Sequence, residues 1–237
     1  MTDLAVVEDG IRIDIGECCL DTQADIALDD AHSHLDDEER ARAASFVFER
    51  DRDRFIRAHG YVRQQLGALL GMAPKDVPIV AGEGGKPYVE GGRASYSLSH
   101  SGSRAVVAIT RGREIGIDIE TIDGSDRLDD QLDDLARLCL IDEELDALDA
   151  APAEQRVRLF LSYWTAKEAR MKLTGEGMAL DPRAIALRLS SGLPVGYLRP
   201  SAPGAELRFI PLSRPGAICC LAVGRDGEQT LTLPYAG

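Results

Sequence analysis

The spacing of hydrophobic residues switches several times between helical and strand-like periods along the chain. Apolar residues recur at helical spacing from about residue 36 to 70, and after a Gly- and Pro-rich break at 71–92 the pattern becomes strand-like. In the second half, helical spacing covers about 126–139, 142–149 and 153–174, and strand-like runs follow it. The strand-like runs are 95–100, 105–109, 115–120, 184–189, 206–212 and 217–223.

A long helix followed by three strands occurs twice, which predicts an α+β fold with two similar halves packed face to face. Each half would be a long helix packed on a three-stranded antiparallel sheet, the first at 1–113 and the second at 114–237. This prediction rests on the pattern alone, since the halves show no obvious sequence repeat. Because ligand sites favour clefts between packed units, we expect an active site near the join at 111–114.

One strand-like run carries acidic side chains on a single face. The segment 114–120 alternates strictly between isoleucine on one face and small or acidic residues on the other. The second face carries Gly116, Asp118 and Glu120. Two carboxylates therefore project side by side, and the missing side chain at Gly116 predicts that a ligand can approach closely there. The alternative is a half-exposed strand with an ordinary solvated acidic face.

The helical segment 163–172 places Trp164, Glu168 and Lys172 four residues apart, and hence on one stripe of the helix. Taken alone, Glu168 and Lys172 are typical of a surface ion pair, with the glutamate N-terminal to the lysine. Together with the two strand carboxylates, Glu168 completes a set of three hard oxygen ligands that suits Mg²⁺. Lys172 follows one turn later, where a phosphate would lie.

Composition and charge exclude several classes of function. With 237 residues, 44% of them hydrophobic and 28% charged, the chain can bury a substantial core. A net charge of −13 argues against general binding to nucleic acid or anionic membranes, but it permits an anionic small ligand held by a few focused basic residues. The sequence has no run of 18 apolar residues and no visible secretory signal, which predicts a cytoplasmic protein. The five cysteines, two pairs of them adjacent, fit neither a disulfide framework nor a Cys-x-x-Cys metal site.

Two further segments carry groups that suit phosphate binding. Gly84-Gly85-Lys86-Pro87 is a tight turn that presents a lysine on rigid backbone, although ordinary surface turns have the same composition. Ser97-Leu-Ser-His-Ser-Gly102 places serine hydroxyls and the imidazole of His100 at a strand end. These groups are either phosphate partners or structural hydrogen-bonding groups.

In this order and at this spacing, the segments resemble the Sfp-type 4′-phosphopantetheinyl transferases. The resemblance covers roughly residues 36 to 180, and the four motifs together are far more specific than any one of them. They are Gly85-Lys86-Pro87, Ser97-Leu-Ser-His-Ser-Gly102, Ile115-Gly-Ile-Asp-Ile-Glu120, and Trp164-Thr-Ala-Lys-Glu-Ala-Arg-Met-Lys172 with Gly175-x-Gly177 behind it.

The resemblance implies transfer of the 4′-phosphopantetheine arm of coenzyme A to a serine of an apo acyl or peptidyl carrier protein, with release of adenosine 3′,5′-bisphosphate. It also implies that Asp118, Glu120 and Glu168 hold Mg²⁺, and that Lys172 neutralises a phosphate oxygen. The other residues implied to bind coenzyme A are Ser99 and His100 at phosphates, Lys86 with Pro87 at the 3′-phosphate or adenine, and Arg42, helped by Arg54, at the 3′-phosphate.

The group that accepts the serine proton stays open between Glu168 and Glu144. Glu144 falls where relatives often carry a further acidic residue near the metal, although the register fits Glu143 as well. A solvated helix N-terminus explains both of the latter acids. One departure concerns Glu39, which replaces a lysine of some relatives and would remove one contact to the 3′-phosphate. Affinity would then depend more on neighbouring arginines: Arg42, Arg50 and Arg54.

The resemblance places carrier recognition in residues 121–145, which are strongly acidic in this chain. Since carrier helices are usually acidic as well, apolar contacts or scattered arginines would have to mediate recognition, unless these leucines belong to the core. The candidates are Leu128, Leu132, Leu135, Arg127 and Arg137. Two fused halves would complete the cleft within one chain, which predicts a monomer.

Two other classes of function compete with the transferase. One is a non-catalytic module that binds coenzyme A or a carrier protein, and the other is a different Mg²⁺-dependent phosphoryl enzyme. The second is weakened because the sequence contains no Walker-type phosphate loop. For the transferase, the carrier stays open among those of fatty-acid, polyketide, siderophore and nonribosomal-peptide synthesis.

Overall fold

The computed structural model describes residues 4–21, 24–82, 85–122, 131–198 and 204–224. Over these residues the chain is an α+β protein built from antiparallel sheets and helices, as the hydrophobic pattern predicts. None of its described helices combines the length and the apolar character needed to cross a membrane. Three residues named above lie outside the described part of the chain: Gly84, Arg127 and Leu128.

The first half of the chain forms a four-stranded antiparallel sheet in the order β1-β2-β6-β5, with three helices packed around it. Its helices are α1 (Leu28–His34), α2 (Asp37–Ala44) and α3 (Glu49–Leu70). Its sheet consists of β1 (Leu4–Glu8), β2 (Ile11–Cys19), β5 (Ser95–Ser101) and β6 (Arg104–Thr110), and β3 (Ile79–Ala81) pairs with β4 (Pro87–Val89) in a separate hairpin.

The second half forms a three-stranded antiparallel sheet in the order β10-β11-β7. Its strands are β7 (Ile115–Thr121), β10 (Ala205–Phe209) and β11 (Ala217–Gly224), and β8 (Leu187–Ser190) pairs with β9 (Leu193–Tyr197) in a hairpin. Its helices are α4 (Leu132–Cys139), α5 (Asp142–Asp149) and α6 (Ala153–Thr174).

The two sheets pack face to face, and a long helix covers the outer face of each. Between the sheets, Ile13 and Val106 of the first half meet Ile117 and Leu221 of the second in a fully apolar layer. Outside this layer, α3 packs on the first sheet and α6 on the second, each with its own hydrophobic cluster. The result is a helix–sheet–sheet–helix stack with the two halves in contact along their length.

A glycine on β7 allows α6 to lie unusually close to the second sheet. A Cβ at Gly116 would clash with the backbone of α6 at Ala169 and Leu173. The helix therefore fills the space beside Gly116, and the prediction that a ligand approaches there is wrong. Gly16 has the corresponding position in the first half, where a Cβ would clash with the ring of Tyr61 on α3.

Several local predictions differ from the structure. The helix expected over 36–70 is interrupted after Ala44 and resumes at Glu49. The pattern-based prediction omits the N-terminal strands β1 and β2, although Ile11, Ile13 and Ile15 alternate with polar residues along β2. These two strands make the first sheet four-stranded. Of the three strands that the pattern predicts after the first long helix, only β5 and β6 pair in its sheet. The strand 115–121 pairs with β11 and belongs to the second sheet. The strand expected at 184–189 forms the β8–β9 hairpin, outside the three-stranded sheet.

Candidate active site

The site lies where β5 of the first sheet runs beside β7 of the second. Serine side chains make the hydrogen bonds that join these two strands. The backbone N–H of Ile117 donates to Ser97 Oγ at 3.0 Å, that of Ile119 to Ser99 Oγ at 3.4 Å, and that of Thr121 to Ser101 Oγ at 3.1 Å. The alternating serines of β5 thus satisfy alternate N–H groups of β7.

Asp118 lies on β7 with one carboxylate oxygen bound and the other free. Its Oδ1 accepts hydrogen bonds from Ser99 Oγ at 2.8 Å and from Lys172 Nζ at 2.7 Å. Its Oδ2 is buried and has no hydrogen-bond partner among the described residues. Burial raises the pKa of Asp118, while the charge of Lys172 and the hydrogen bonds oppose that shift. A buried, unpaired carboxylate oxygen is unfavourable unless a cation or donor occupies it.

Glu120 lies two residues further along the same face of β7. Ser101 Oγ donates to Glu120 Oε2 at 2.9 Å. Burial and the charge of Asp118 raise the pKa of Glu120, and hydrogen bonds from Ser101 and Trp164 lower it in part. Trp164 is the first residue of the stripe on α6 that the sequence singled out, so helix and strand meet at this carboxylate.

Glu168 brings a third carboxylate from α6 to the same place. Burial raises the pKa of Glu168 most, and the negative charges of Asp118 and Glu120 raise it further, while Lys172 opposes them. The three acids therefore repel one another across the gap between β7 and α6. Such mutual repulsion, in partly buried surroundings, is relieved by a bound cation.

The donor set fits Mg²⁺, which takes oxygen ligands and is commonly held by one or two protein carboxylates together with substrate phosphates. The buried free oxygen of Asp118 is the strongest sign of such a ligand. Among the described residues, no group of three or more aspartate, glutamate, histidine or cysteine side chains is arranged so that it could hold a metal ion. The carboxylates would therefore turn toward an ion as it binds.

Positive groups gather at the end of β5, next to the acidic site. Partial removal of the His100 ring from water lowers its pKa most, and the charges of Lys172, His59 and Arg54 lower this pKa further. The smaller part of this shift comes from three basic side chains of α3 and α6, which therefore lie near His100. Each of them also pairs with a carboxylate: Lys172 with Asp118, Arg54 with Asp21 and His59 with Glu39. A few basic side chains gathered in one place can hold a polyanion although the whole chain is strongly acidic.

Lys86 makes hydrogen bonds that stabilise the fold. Its Nζ donates to Glu114 Oε2 at 2.6 Å and to the carbonyl oxygen of Leu173 at 2.8 Å, near the C-terminus of α6. A lysine at this end of a helix compensates carbonyl groups that have no partner within the helix. Pro87, beside it, is exposed at the start of β4.

The arginines predicted to hold the 3′-phosphate lie on α2 and α3, and one of them is already paired. Arg54 makes a bidentate ion pair with Asp21, with distances of 2.8 and 2.7 Å. Arg42 is exposed, and its guanidinium lies 5.2 Å from the ring centroid of Phe55. Glu39, the departure noted in the sequence, points into α3 and pairs with Arg63 and His59. Glu39 therefore has a structural role in docking α2 onto α3.

Glu144 is not brought to the site. Its carboxylate is completely buried, where Oε2 pairs with Lys167 Nζ at 2.7 Å and Oε1 accepts from the backbone N–H of Leu187 at 2.8 Å. Its neighbour Glu143 is exposed on α5. The motifs assign no role to Lys167, although a lysine among the core-facing positions of α6 is itself a sign of a buried ion pair.

The leucines considered for carrier recognition have different environments. Leu132 is buried in the core of the second half, and Leu135 is half-buried against the same cluster. Arg137 is exposed on α4 and lies 3.6 Å from Asp134. Leu138 is 67% exposed, which makes it the leucine of α4 that faces solvent most.

Comparisons with known proteins show the family to which the chain is related. Residues 114–217 match the model of the 4′-phosphopantetheinyl transferase superfamily, and residues 23–111 match a model described as 4′-phosphopantetheinyl transferase, N-terminal. HetI, a 4′-phosphopantetheinyl transferase of Nostoc sp. strain PCC 7120, is 37% identical over 171 residues, which cover 70% of this chain and 70% of HetI.

For two further relatives, the aligned part covers a smaller share of the relative. The 4′-phosphopantetheinyl transferase of Bacillus subtilis is 27% identical over 153 residues, or 64% of this chain and 65% of the relative. The phosphopantetheinyl transferase of Thraustochytrium sp. strain ATCC 26185 is 31% identical over 154 residues, or 61% of this chain and 54% of the relative.

Proposed function

Because the chain belongs to the 4′-phosphopantetheinyl transferase superfamily, we propose that it moves the 4′-phosphopantetheine group of coenzyme A to a serine of an apo acyl or peptidyl carrier protein. The serine oxygen forms a new bond to the phosphorus that bears the pantetheine. The bond from this phosphorus to the bridging oxygen of the diphosphate breaks, and adenosine 3′,5′-bisphosphate leaves. The serine proton passes to a base of the enzyme or to water.

One observation carries this proposal: three mutually repelling carboxylates and Lys172 converge from β7 and α6, next to His100 and the basic side chains around it. Asp118, Glu120 and Glu168 would hold Mg²⁺, and the free Oδ2 of Asp118 supports this assignment. When bound, the ion would neutralise charge on the diphosphate and act as a Lewis acid.

Lys172 is the residue best placed to contact a phosphate. Its side chain is 29% exposed and donates to Asp118 and Ser99, so it is both oriented and accessible. Within the described part of the chain no group accepts from the third donor position of its ammonium group, which is therefore open to a phosphate oxygen. Ser99 is already bound to three groups, so we expect it to act through Lys172 and Asp118 unless a phosphate displaces one of them.

The rest of coenzyme A is assigned by position and charge. His100 would hold a phosphate group, and Arg42, helped by the nearby Arg54, would hold the 3′-phosphate. Lys86 and Pro87 would contact the 3′-phosphate or the adenine. In that role Lys86 would have to release Glu114 or a carbonyl of α6.

Glu168 is the base that the geometry favours. It is half-buried, belongs to the acidic site, and its pKa is raised, which makes it a better proton acceptor near neutral pH. Glu144 is left out of this assignment because its carboxylate is committed to Lys167 and to backbone N–H groups. We further propose a monomer that works in the cytoplasm.

Mass measurement of the carrier protein tests the proposal. The full chain is incubated with coenzyme A, Mg²⁺ and an apo carrier protein, and the carrier should gain the mass of one phosphopantetheine. Asp118→Ala and Glu168→Ala should abolish this gain while remaining folded, whereas Glu143→Gln, on the exposed face of α5, should retain it. Binding of coenzyme A without a gain in mass would favour a non-catalytic module. Hydrolysis of coenzyme A without carrier modification would favour a different phosphoryl enzyme.

A further inference from the structure

The hydroxyl of Ser101 has a fixed direction because of the groups around it. It accepts the backbone N–H of Thr121 at 3.1 Å and lies 3.2 Å from Thr121 Oγ1 and 2.9 Å from Glu120 Oε2. An ionised carboxylate can only accept hydrogen bonds, so the single proton of Ser101 must point to Glu120. The hydroxyl of Thr121 then donates to Ser101, and every site of the Ser101 oxygen is used.

We propose that Ser101 is a positioning residue that holds the carboxylate of Glu120 ready for a divalent cation. This inference rests on the proposed function, because it takes Glu120 as a metal ligand. A carboxylate that is fixed by a neighbouring hydrogen bond loses less rotational freedom when it binds an ion. Ser99 has the equivalent relationship to Asp118, but its additional contact with Lys172 ties it to the phosphate end of the site.

The strand that carries Ser101 also carries two matched serines. Ser97 accepts the N–H of Ile117 at 3.0 Å, so its loss removes the same kind of bond between the sheets. Ile117 precedes Asp118 in the chain, but among the described residues the Ser97 hydroxyl makes no hydrogen bond to a proposed metal ligand. Ser95 donates to the carboxylate of Glu114 at 3.1 Å on an exposed part of the surface. Ser97→Ala therefore reproduces the structural effect of Ser101→Ala, and Ser95→Ala reproduces the loss of a serine–carboxylate bond.

The experiment measures binding of Mn²⁺ alone to the full chain by isothermal titration calorimetry. Ser101→Ala should raise the Kd for Mn²⁺ by about 10- to 100-fold, the usual effect of removing a group that orients a metal ligand. Ser101→Cys, which keeps the size but is a weak donor, should weaken binding as well, and Ser101→Thr, which keeps the hydroxyl, should restore it. Ser97→Ala and Ser95→Ala should bind Mn²⁺ as the wild type does.

Steady-state kinetics gives a second readout. At saturating Mg²⁺, the Ser101→Ala protein should have most of the wild-type kcat and an unchanged KM for coenzyme A. The reason is that the substitution impairs only the orientation of a metal ligand before the ion binds. Equal weakening of Mn²⁺ binding by Ser97→Ala and Ser101→Ala would overturn the proposal, as would unchanged binding in Ser101→Ala. Failure of the wild-type protein to bind Mn²⁺ would instead contradict the proposed metal site, and the wild-type titration tests this point separately.

Discussion

Lys167 and Glu144 form an ion pair in the interior of the second half, with 2.7 Å between Nζ and Oε2 and both side chains fully buried. Lys167 also donates to the carbonyl oxygens of Cys139 and Pro182, at 2.9 and 3.1 Å. The pair therefore connects α6 to the ends of α4 and α5 and to the turn before β8. It lies one residue before Glu168 on the helix, so it also fixes the rotation of α6 under the acidic site.

Breaking this pair from one side should unfold the protein more readily. Glu144→Gln or Lys167→Met should lower the free energy of unfolding by about 3–5 kcal/mol, because each leaves an uncompensated buried charge. Urea unfolding measures this loss. The double variant should lose less than the sum of the two single losses. A stable Glu144→Gln protein without turnover would instead indicate a direct catalytic role for Glu144.

Removing the charge of Lys172 should affect the reaction more than the fold. Lys172→Ala should reduce kcat by about 10²- to 10³-fold, as expected for the loss of a charge partner in the transition state. Single-turnover transfer followed by mass spectrometry measures this. Arg183→Ala, on an exposed residue paired with Asp181, serves as the control and should keep full activity. Near-normal turnover of Lys172→Ala would exclude the assigned role.

The acidic site predicts an unusual dependence of stability on pH in the absence of metal. The pKa values of Asp118, Glu120 and Glu168 are raised above their ordinary values of 3.8 and 4.5. The folded protein then binds protons more tightly than the unfolded chain does, so these three groups destabilise it at neutral pH. In EDTA their contribution to stability should improve as the pH falls from neutral through the raised pKa values toward about 4.5.

Thermal unfolding at several pH values checks this direction against a control. The Glu120→Gln, Glu168→Gln double variant removes two of the repelling charges, so its stability should change less with pH over the same range. Saturating Mg²⁺ should stabilise the wild type most at neutral pH, where the carboxylates are ionised. Identical pH profiles for wild type and double variant would show that the acids do not interact as described.

Coenzyme A with and without its 3′-phosphate tests the role of the arginines. If Arg54 holds that phosphate, Arg54→Ala should raise the KM for coenzyme A about tenfold, which corresponds to about 1.4 kcal/mol, with little change in kcat. With 3′-dephospho-coenzyme A, the wild type and variant should behave alike. Arg52→Ala, next to Arg54 on α3 and paired with Asp53, is the control. An equal effect of Arg54→Ala on both substrates would assign Arg54 to the fold, through its pair with Asp21.

The sequence predicted the parts of the fold that carry strong periodicity. The helix 153–174 and the strands around 95–101, 104–110 and 115–121 lie where the pattern placed them, because each buries one regular face. The break between α2 and α3 was missed, since apolar residues at 46–48 continue the pattern although they are exposed. Strand partners were also missed, because alternation reveals a buried face but not the neighbour that pairs along the edge.

For the site, the sequence indicated residue types better than it indicated their partners. The stripe Trp164, Glu168 and Lys172 does meet the acidic face of β7, as the spacing suggested. The period-two serines were visible as well, but only the three-dimensional structure shows that they accept N–H groups of another sheet. Glu144 illustrates the limit in the other direction, since an acid at a helix N-terminus has the same sequence context whether it is solvated or buried.

The serine hydrogen bonds between β5 and β7 form when the two halves dock, so the active site is completed in the same step. Hydroxyls from residues before 113 orient carboxylates from residues after 114, so each fragment of a chain cut at the join would carry half of the same local chemistry. Separately produced fragments should therefore be inert alone and regain function only by complementation. Selection for a working enzyme thereby also selects for correct docking of its two parts.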